Sequence, residues 1–267
     1  MIDLHERLSE FSYGYGVTRE IEEHLSGVGL TVTPFLPSLV HENELGFDVA
    51  FNKPGVVIMA QFKLGQQMKR FRSSPPGSPA PDLDKPFWRF QINTHEAQYR
   101  QLRRAEQRGA EVYYVAPRFS DWAVFDMHFL AGEVLDHSLL IRPAEIAQAL
   151  VAQGAHDGVH RVVYDRTRKY VCSKPVEIAE VKLGQFVDHV LTRTHVQPEP
   201  LIQRLEAILP APRRRAARLR RFDQPAKPAD ANLYGRRLAI AIASAAWARG
   251  AQTIFVTSDS PPGSPEA

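Results

Sequence analysis

The chain has 267 residues, 44% hydrophobic and 24% charged, with a net charge of +3. That length supports a large core, as one domain or a domain with a helical appendage, and the composition is that of an ordinary globular protein. The single cysteine, Cys172, excludes an internal disulfide and a thiolate metal cluster, and the charged start MIDLHERLSE lacks the apolar core of a signal peptide.

In chain order, Asp3–Phe11 reads as a short helix, followed by Ser12-Tyr-Gly-Tyr-Gly16 as a glycine-punctuated turn. Thr18 then caps a second helix in which Val17, Ile21, Leu25 and Val28 recur at helical spacing up to Gly27-Val-Gly29. Leu30–Phe35 alternates as a strand. Leu45–Phe51 and Val56–Lys63 are β-rich runs joined by Asn52-Lys-Pro-Gly55, which predicts a β-hairpin. The span from Phe71 to Pro86 is rich in Ser, Pro and Gly and reads as a surface loop. Asn93 and Glu96 form a capping box for a helix to Arg108, and Glu111–Ala116 is a strand. Further strands are expected at Trp122–Phe125, Val134–Ile141 and Arg161–Tyr164, with helices at Pro143–Gln153 and Ile178–Leu191. His195-Val-Gln-Pro-Glu-Pro200 reads as a linker. Beyond it come a short helix (Leu201–Leu209), an arginine run, a longer helix (Leu233–Arg249) and a last strand (Thr253–Thr257). Leu238–Trp247, the most apolar late stretch, is too short to span a bilayer, so a cytoplasmic protein with no membrane partner is expected. The expected domains are 1–195, a basic helical region over 196–257 and a disordered tail over 258–267.

Charge is unevenly spread. Residues 1–60 carry nine acids against three bases, while Arg213, Arg214, Arg215, Arg218, Arg220 and Arg221 fall within nine residues that contain no acid. An acidic front suits a site for divalent cations, and the basic run suits a grip on phosphates.

The hairpin carries the chemistry. Centred on Lys53-Pro54, it sets Asp48 opposite Met59, and strand alternation then puts Asp48 on the same face as Gln61 and Lys63. These polar groups interrupt otherwise apolar strands, where an unpaired buried charge costs several kcal/mol. An ordinary Asp48–Lys63 ion pair is the bland alternative. Gly46-Phe-Asp48, twelve intervening residues and Gln61-Phe-Lys63 together resemble the PD-(D/E)XK nuclease superfamily, in the Gln-x-Lys form of its Mrr-like branch. The resemblance covers about residues 10–120.

It implies a restriction-endonuclease-like α/β core, a central mixed sheet flanked by helices, and Mg²⁺-dependent DNA cleavage in bacterial antiviral defence or restriction. Asp48 would ligate Mg²⁺, with Mn²⁺ as a substitute, and Gln61 would offer its amide oxygen to the metal or the attacking water. Lys63 would activate that water or stabilise charge on the phosphate. Many members place a glutamate on the preceding helix. On the helical wheel Glu20 borders the apolar stripe whereas Glu23 lies opposite it, so Glu20 is the third expected metal ligand. Glu42 and Glu44 are candidates for the mouth of the site. Arg100, Arg103, Arg104 and Arg108, with Lys69, Arg70 and Arg72, are candidates for phosphate contacts, as is the arginine run. Gln98 and Gln101 are candidates for orienting substrate, and Trp88 and Phe90 for stacking on bases or anchoring the loop. The histidines give no support for a zinc site, no phosphate-loop motif is present, and Cys172 reads as core. Two alternatives stay open: a catalytically silent nucleic-acid-binding or scaffold protein of the same fold, and a nuclease subunit that needs a protein partner or a homodimer.

Overall fold

The computed structural model describes residues 8–35, 49–72, 79–155, 157–172, 174–209 and 230–259. Over these residues the chain is an α/β protein with two five-stranded sheets and seven α-helices. The elements are α1 (Glu10–Gly27), β1 (Leu30–Phe35), β2 (Gly55–Phe62), β3 (Gln66–Met68), β4 (Phe87–Asn93), α2 (Ala97–Gln107), β5 (Glu111–Pro117) and α3 (Trp122–Ala131). There follow β6 (Ser138–Ile141), α4 (Pro143–Ala152), β7 (Val159–Tyr164), β8 (Lys169–Cys172), β9 (Val176–Glu177) and α5 (Leu183–Leu191). A π-helical turn (Thr192–Val196), α6 (Leu201–Ile208), α7 (Ala231–Trp247) and β10 (Ala251–Ser258) complete it. The first sheet is mixed and ordered β1-β10-β2-β5-β6. The second, β3-β4-β7-β8-β9, is antiparallel throughout. Among the described residues no helix is long and apolar enough to cross a membrane.

The chain forms two compact units that interleave in sequence: residues 1–21, 61–103 and 112–183 in the first, and 22–60, 104–111 and 184–267 in the second. In the first, Tyr13, Val17 and Ile21 line the inner face of α1. Tyr13 meets Phe62 edge-on at 5.9 Å and gives its hydroxyl hydrogen to Ser138 at 2.7 Å. Trp88 stacks on Tyr164, and Phe90 stacks on Tyr114 and meets Tyr164 edge-on, so both β4 aromatics are core. Arg118 ties three segments together through Ser138 O, Asp165 O and a 2.7 Å ion pair with the buried Glu180.

In the second unit β1 pairs antiparallel with β10, from Leu30 opposite Ser258 to Phe35 opposite Thr253. The helix α7 starts where Asp230 accepts the amides of Asn232 and Leu233, and it buries Tyr234, Leu238 and Ile242. Arg204 is buried, donates to the carbonyls of Arg193 and Gln197 and pairs with Glu199, which joins the π-helical turn to α6.

Several expectations are corrected. Ser12–Gly16 is not a turn but the interior of α1. Its glycines answer to packing: a Cβ on Gly14 would lie 2.7 Å from the Phe62 ring, and one on Gly16 would lie 3.0 Å from Phe125. Helix propensity favours Ala over Gly by about 1 kcal/mol, but overpacking a buried ring costs about 1–3 kcal/mol. Gly14→Ala is therefore expected to lower the chemical-denaturation midpoint, and a raised midpoint would refute this packing account. The stretch Trp122–Phe125 is helix, not strand, because Asp121 caps it by accepting the Val124 amide and Phe125 and His128 then fall on its buried side. The capping box at Asn93 is displaced: β4 runs through Asn93, and α2 begins only at Ala97. Val134–His137 is a turn, with β6 restricted to Ser138–Ile141, and α5 starts at Leu183 rather than Ile178. The strands β3, β4, β8 and β9 were not anticipated.

Among the described residues the expected hairpin is not present: residues 49–51 are not strand, and β2 has β10 and β5 as its two neighbours. All eight β2 residues are buried, as expected of a central strand covered on both faces. Residues 45–48, the other half of the expected hairpin, lie outside the described residues.

Candidate active site

Gln61 is the penultimate residue of β2 and Lys63 follows its end; the Lys63 amide still reaches Val115 O at 2.9 Å, prolonging the ladder towards β5. Strand alternation separates Gln61 from Phe62. Phe62 packs against Tyr13 and Gly14 of α1, while Gln61 meets α2, accepting a 2.7 Å hydrogen bond from Gln98 Nε2 on its side-chain oxygen. Its own Nε2 donates to Phe62 O at 3.2 Å. At 1% exposure Gln61 is an oriented interior amide whose carbonyl oxygen already has one donor. Gln98, expected to orient substrate, instead orients Gln61.

Lys63 is half-buried, and its charge acts on Glu10 in the first turn of α1. Local desolvation raises the Glu10 carboxyl above its ordinary range, and the Lys63 ammonium opposes that rise. Glu10 stays largely exposed as a residue. It was missed in the sequence because reading Gly14 and Gly16 as breakers cut it off from the helix that follows. With that helix continuous, Glu10 is an acid on the helix preceding β2, as Glu20 was taken to be.

Glu20 is placed differently. It is 2% exposed, and its two carboxylate oxygens accept the amides of Val134 and Leu135 at 2.8 and 2.7 Å. Each oxygen of this buried carboxylate accepts one backbone amide, so Glu20 caps the turn after α3. The wheel found its position beside the apolar stripe, but the partner came from residues more than a hundred positions away.

Asp48, Glu42, Glu44, Arg213, Arg214, Arg215, Arg218, Arg220 and Arg221 lie outside the described residues. Arg100 and Arg104 are exposed on α2, as are Lys69, Arg70 and Arg72 after β3, whereas Arg108 donates to Ile208 O at 3.1 Å. Trp88 and Phe90 are buried and closed to stacking on bases. Burial pushes the Cys172 thiol up to about 12, which rules it out as a thiolate nucleophile at neutral pH.

Each donor offers the oxygen chemistry that Mg²⁺ selects, but from different surroundings: Glu10 supplies an accessible carboxylate on α1, and the buried Gln61 oxygen, turned towards α2, retains a second lone pair. Searches among protein-family models, curated proteins and solved structures returned no match to this chain.

Proposed function

We propose that the chain is an Mg²⁺-dependent nuclease that hydrolyses phosphodiester bonds in DNA on a restriction-endonuclease-like core, in defence against foreign DNA. The observation that carries this reading is the placement at the end of β2 of a buried amide, Gln61, held by Gln98 at 2.7 Å, with half-buried Lys63 two residues beyond it. Bound Mg²⁺ supplies polarisation of the phosphoryl oxygen and acidifies a water. Glu10 and Asp48 would hold the ion, Gln61 would fix its surroundings, and Lys63 would orient the water or stabilise charge on the phosphate. Exposed Arg100, Lys69, Arg70 and Arg72 would grip the backbone, which makes binding salt-dependent.

The test is incubation of the full chain with supercoiled plasmid, single-stranded DNA and RNA, in Mg²⁺ and in EDTA. Cleavage is expected in Mg²⁺ alone, on DNA, and is expected to be lost in Asp48→Ala. Salt-sensitive binding with no cleavage under Mg²⁺ or Mn²⁺ would instead establish the second reading, a catalytically silent nucleic-acid-binding protein. The burial of Gln61 and the engagement of both ends of its amide favour that second reading.

A further inference from the structure

We propose that His128, Glu133 and His137 form a binding site for a zinc-class divalent cation, independent of the nuclease reading. His128 stands in the last turn of α3. Gly132 ends that helix in the left-handed region at φ 71°, which favours glycine, and turns the chain back over the helix end. The Glu133 amide then donates to His128 O at 2.9 Å, and the His137 amide donates to Glu133 O at 3.1 Å. This local folding places Glu133 Oε2 at 3.7 Å from both His128 Nδ1 and His137 Nε2. One ligand atom from each of the three residues lies within 4.8 Å of the others.

Zinc bound tetrahedrally at about 2.0–2.1 Å from nitrogen and oxygen sets its ligand atoms roughly 3.4 Å apart, so the Glu133 oxygen is close to its required distance from each imidazole and the remaining closure falls to a side-chain movement. Two imidazole nitrogens and one carboxylate select a late first-row ion over Mg²⁺ or Ca²⁺. Glu133 and His137 have side chains 52% and 46% exposed, so the fourth position opens to solvent and takes a water.

The independent pointer to a ligand is His128 itself. Its side chain is nine-tenths buried, and its Nδ1 is buried without a hydrogen-bond partner, the nearest acid oxygen being that of Glu133. Buried polar atoms normally find a partner. A neutral imidazole at this position has a ring lone pair to offer an ion. The rings of His128 and His137 stack at 3.7 Å with 23° between planes, which sets their lone pairs in nearly parallel planes. His137 must therefore swing about its side-chain torsions to converge on the ion, and its exposure leaves room for that. The turn it rides on does not need to move: Glu20 pins Val134 and Leu135 from below.

The test uses the full chain, stripped with EDTA and dialysed, then titrated with Zn²⁺ by calorimetry and with Co²⁺ by visible absorption. One ion per chain with tetrahedral Co²⁺ bands is expected. Affinity should fall tenfold to a hundredfold or more in both Glu133→Gln and His137→Ala, and Lys63→Ala should bind as the parent does. Nitrogen NMR of the imidazoles is expected to show the His128 Nδ1 resonance shifting on Zn²⁺ addition, a readout that survives if one variant folds poorly. Failure to bind near-stoichiometric Zn²⁺, unchanged affinity in both variants, or an unmoved His128 resonance would overturn the site.

Discussion

On the proposed nuclease reading, Lys63→Ala is expected to lower DNA cleavage by at least about 100-fold while leaving the fold intact, because an amine at a reacting phosphate would act on charge that develops only in the transition state. Lys63 is half-buried at the end of β2, and its backbone amide, not its side chain, holds the ladder to β5, so alanine leaves that bond in place. The same substitution carries an electrostatic signature that a merely structural lysine would not produce. Lys63 now offsets the desolvation that raises the Glu10 carboxyl, so removing it should move the Glu10 titration further up. The sign follows from the charge: a nearby cation favours the carboxylate, and its loss favours the acid. Lys63→Arg keeps the cation and should leave the Glu10 titration near its parent position. If Glu10 must be ionised to help hold Mg²⁺, activity should fall as pH drops through its raised pKa, and that acid limb should shift upward wherever residual cleavage in Lys63→Ala is measurable. Carbon NMR of the Glu10 carboxyl across pH gives the first quantity and plasmid cleavage the second. A fully active Lys63→Ala variant would remove the lysine from the mechanism, and an unmoved Glu10 titration would dissolve the coupling between the two residues.

The second large effect is on stability. Glu20→Ala should destabilise the protein by about 3–5 kcal/mol, since two backbone amides each lose a charged acceptor in a dry site. In a chain of this size that corresponds to a fall in Tm of roughly 10 °C. Glu20→Gln keeps the volume but turns an NH₂ group towards one of the two amide donors, and should cost about 1–3 kcal/mol. Thermal unfolding in EDTA separates this role from metal ligation. A ligand carboxylate is better removed than kept when the metal is absent, so a stabilised Glu20→Gln would return Glu20 to the metal site. A destabilised one keeps it as the cap of the turn after α3. The consequence extends to the zinc-class site, because the capped turn carries Glu133 and His137.

The sequence carried the identity of most elements where side-chain periodicity is strong. Val17, Ile21 and Leu25 of the expected stripe are buried in α1, while its fourth member, Val28, lies past the helix end and is exposed; the unbroken apolar run of β2 marked a strand and is buried throughout. The span Glu111–Ala116, the helices at Pro143 and Leu201, and the last strand were legible for the same reason: residues close in sequence set their own local pattern. Asp121 shows the limit of that method. Aromatic and β-branched composition from Trp122 to Phe125 favoured a strand, and one capping side chain together with the burial of Phe125 and His128, three positions apart, decided for helix.

What only the tertiary structure decided is who meets whom. Nothing in the hairpin-like spacing of residues 45–63 indicates that β10, near the other end of the chain, takes a place beside β2, because sheet partners are chosen by long-range burial rather than by the nearest turn. Gly14 looked like a chain breaker because glycine is permissive, yet its use here is to let the Phe62 ring come close to a helix, a demand made by a residue on another element. The two acids of α1 were separated by the same physics. Glu20 lies beside the apolar stripe as the wheel said, but burial gave it backbone amides to satisfy, while Glu10 stays exposed and feels the charge of Lys63. Local sequence sets which face of an element is apolar; the long-range fold sets which polar group on that face is spent on structure and which stays free for chemistry.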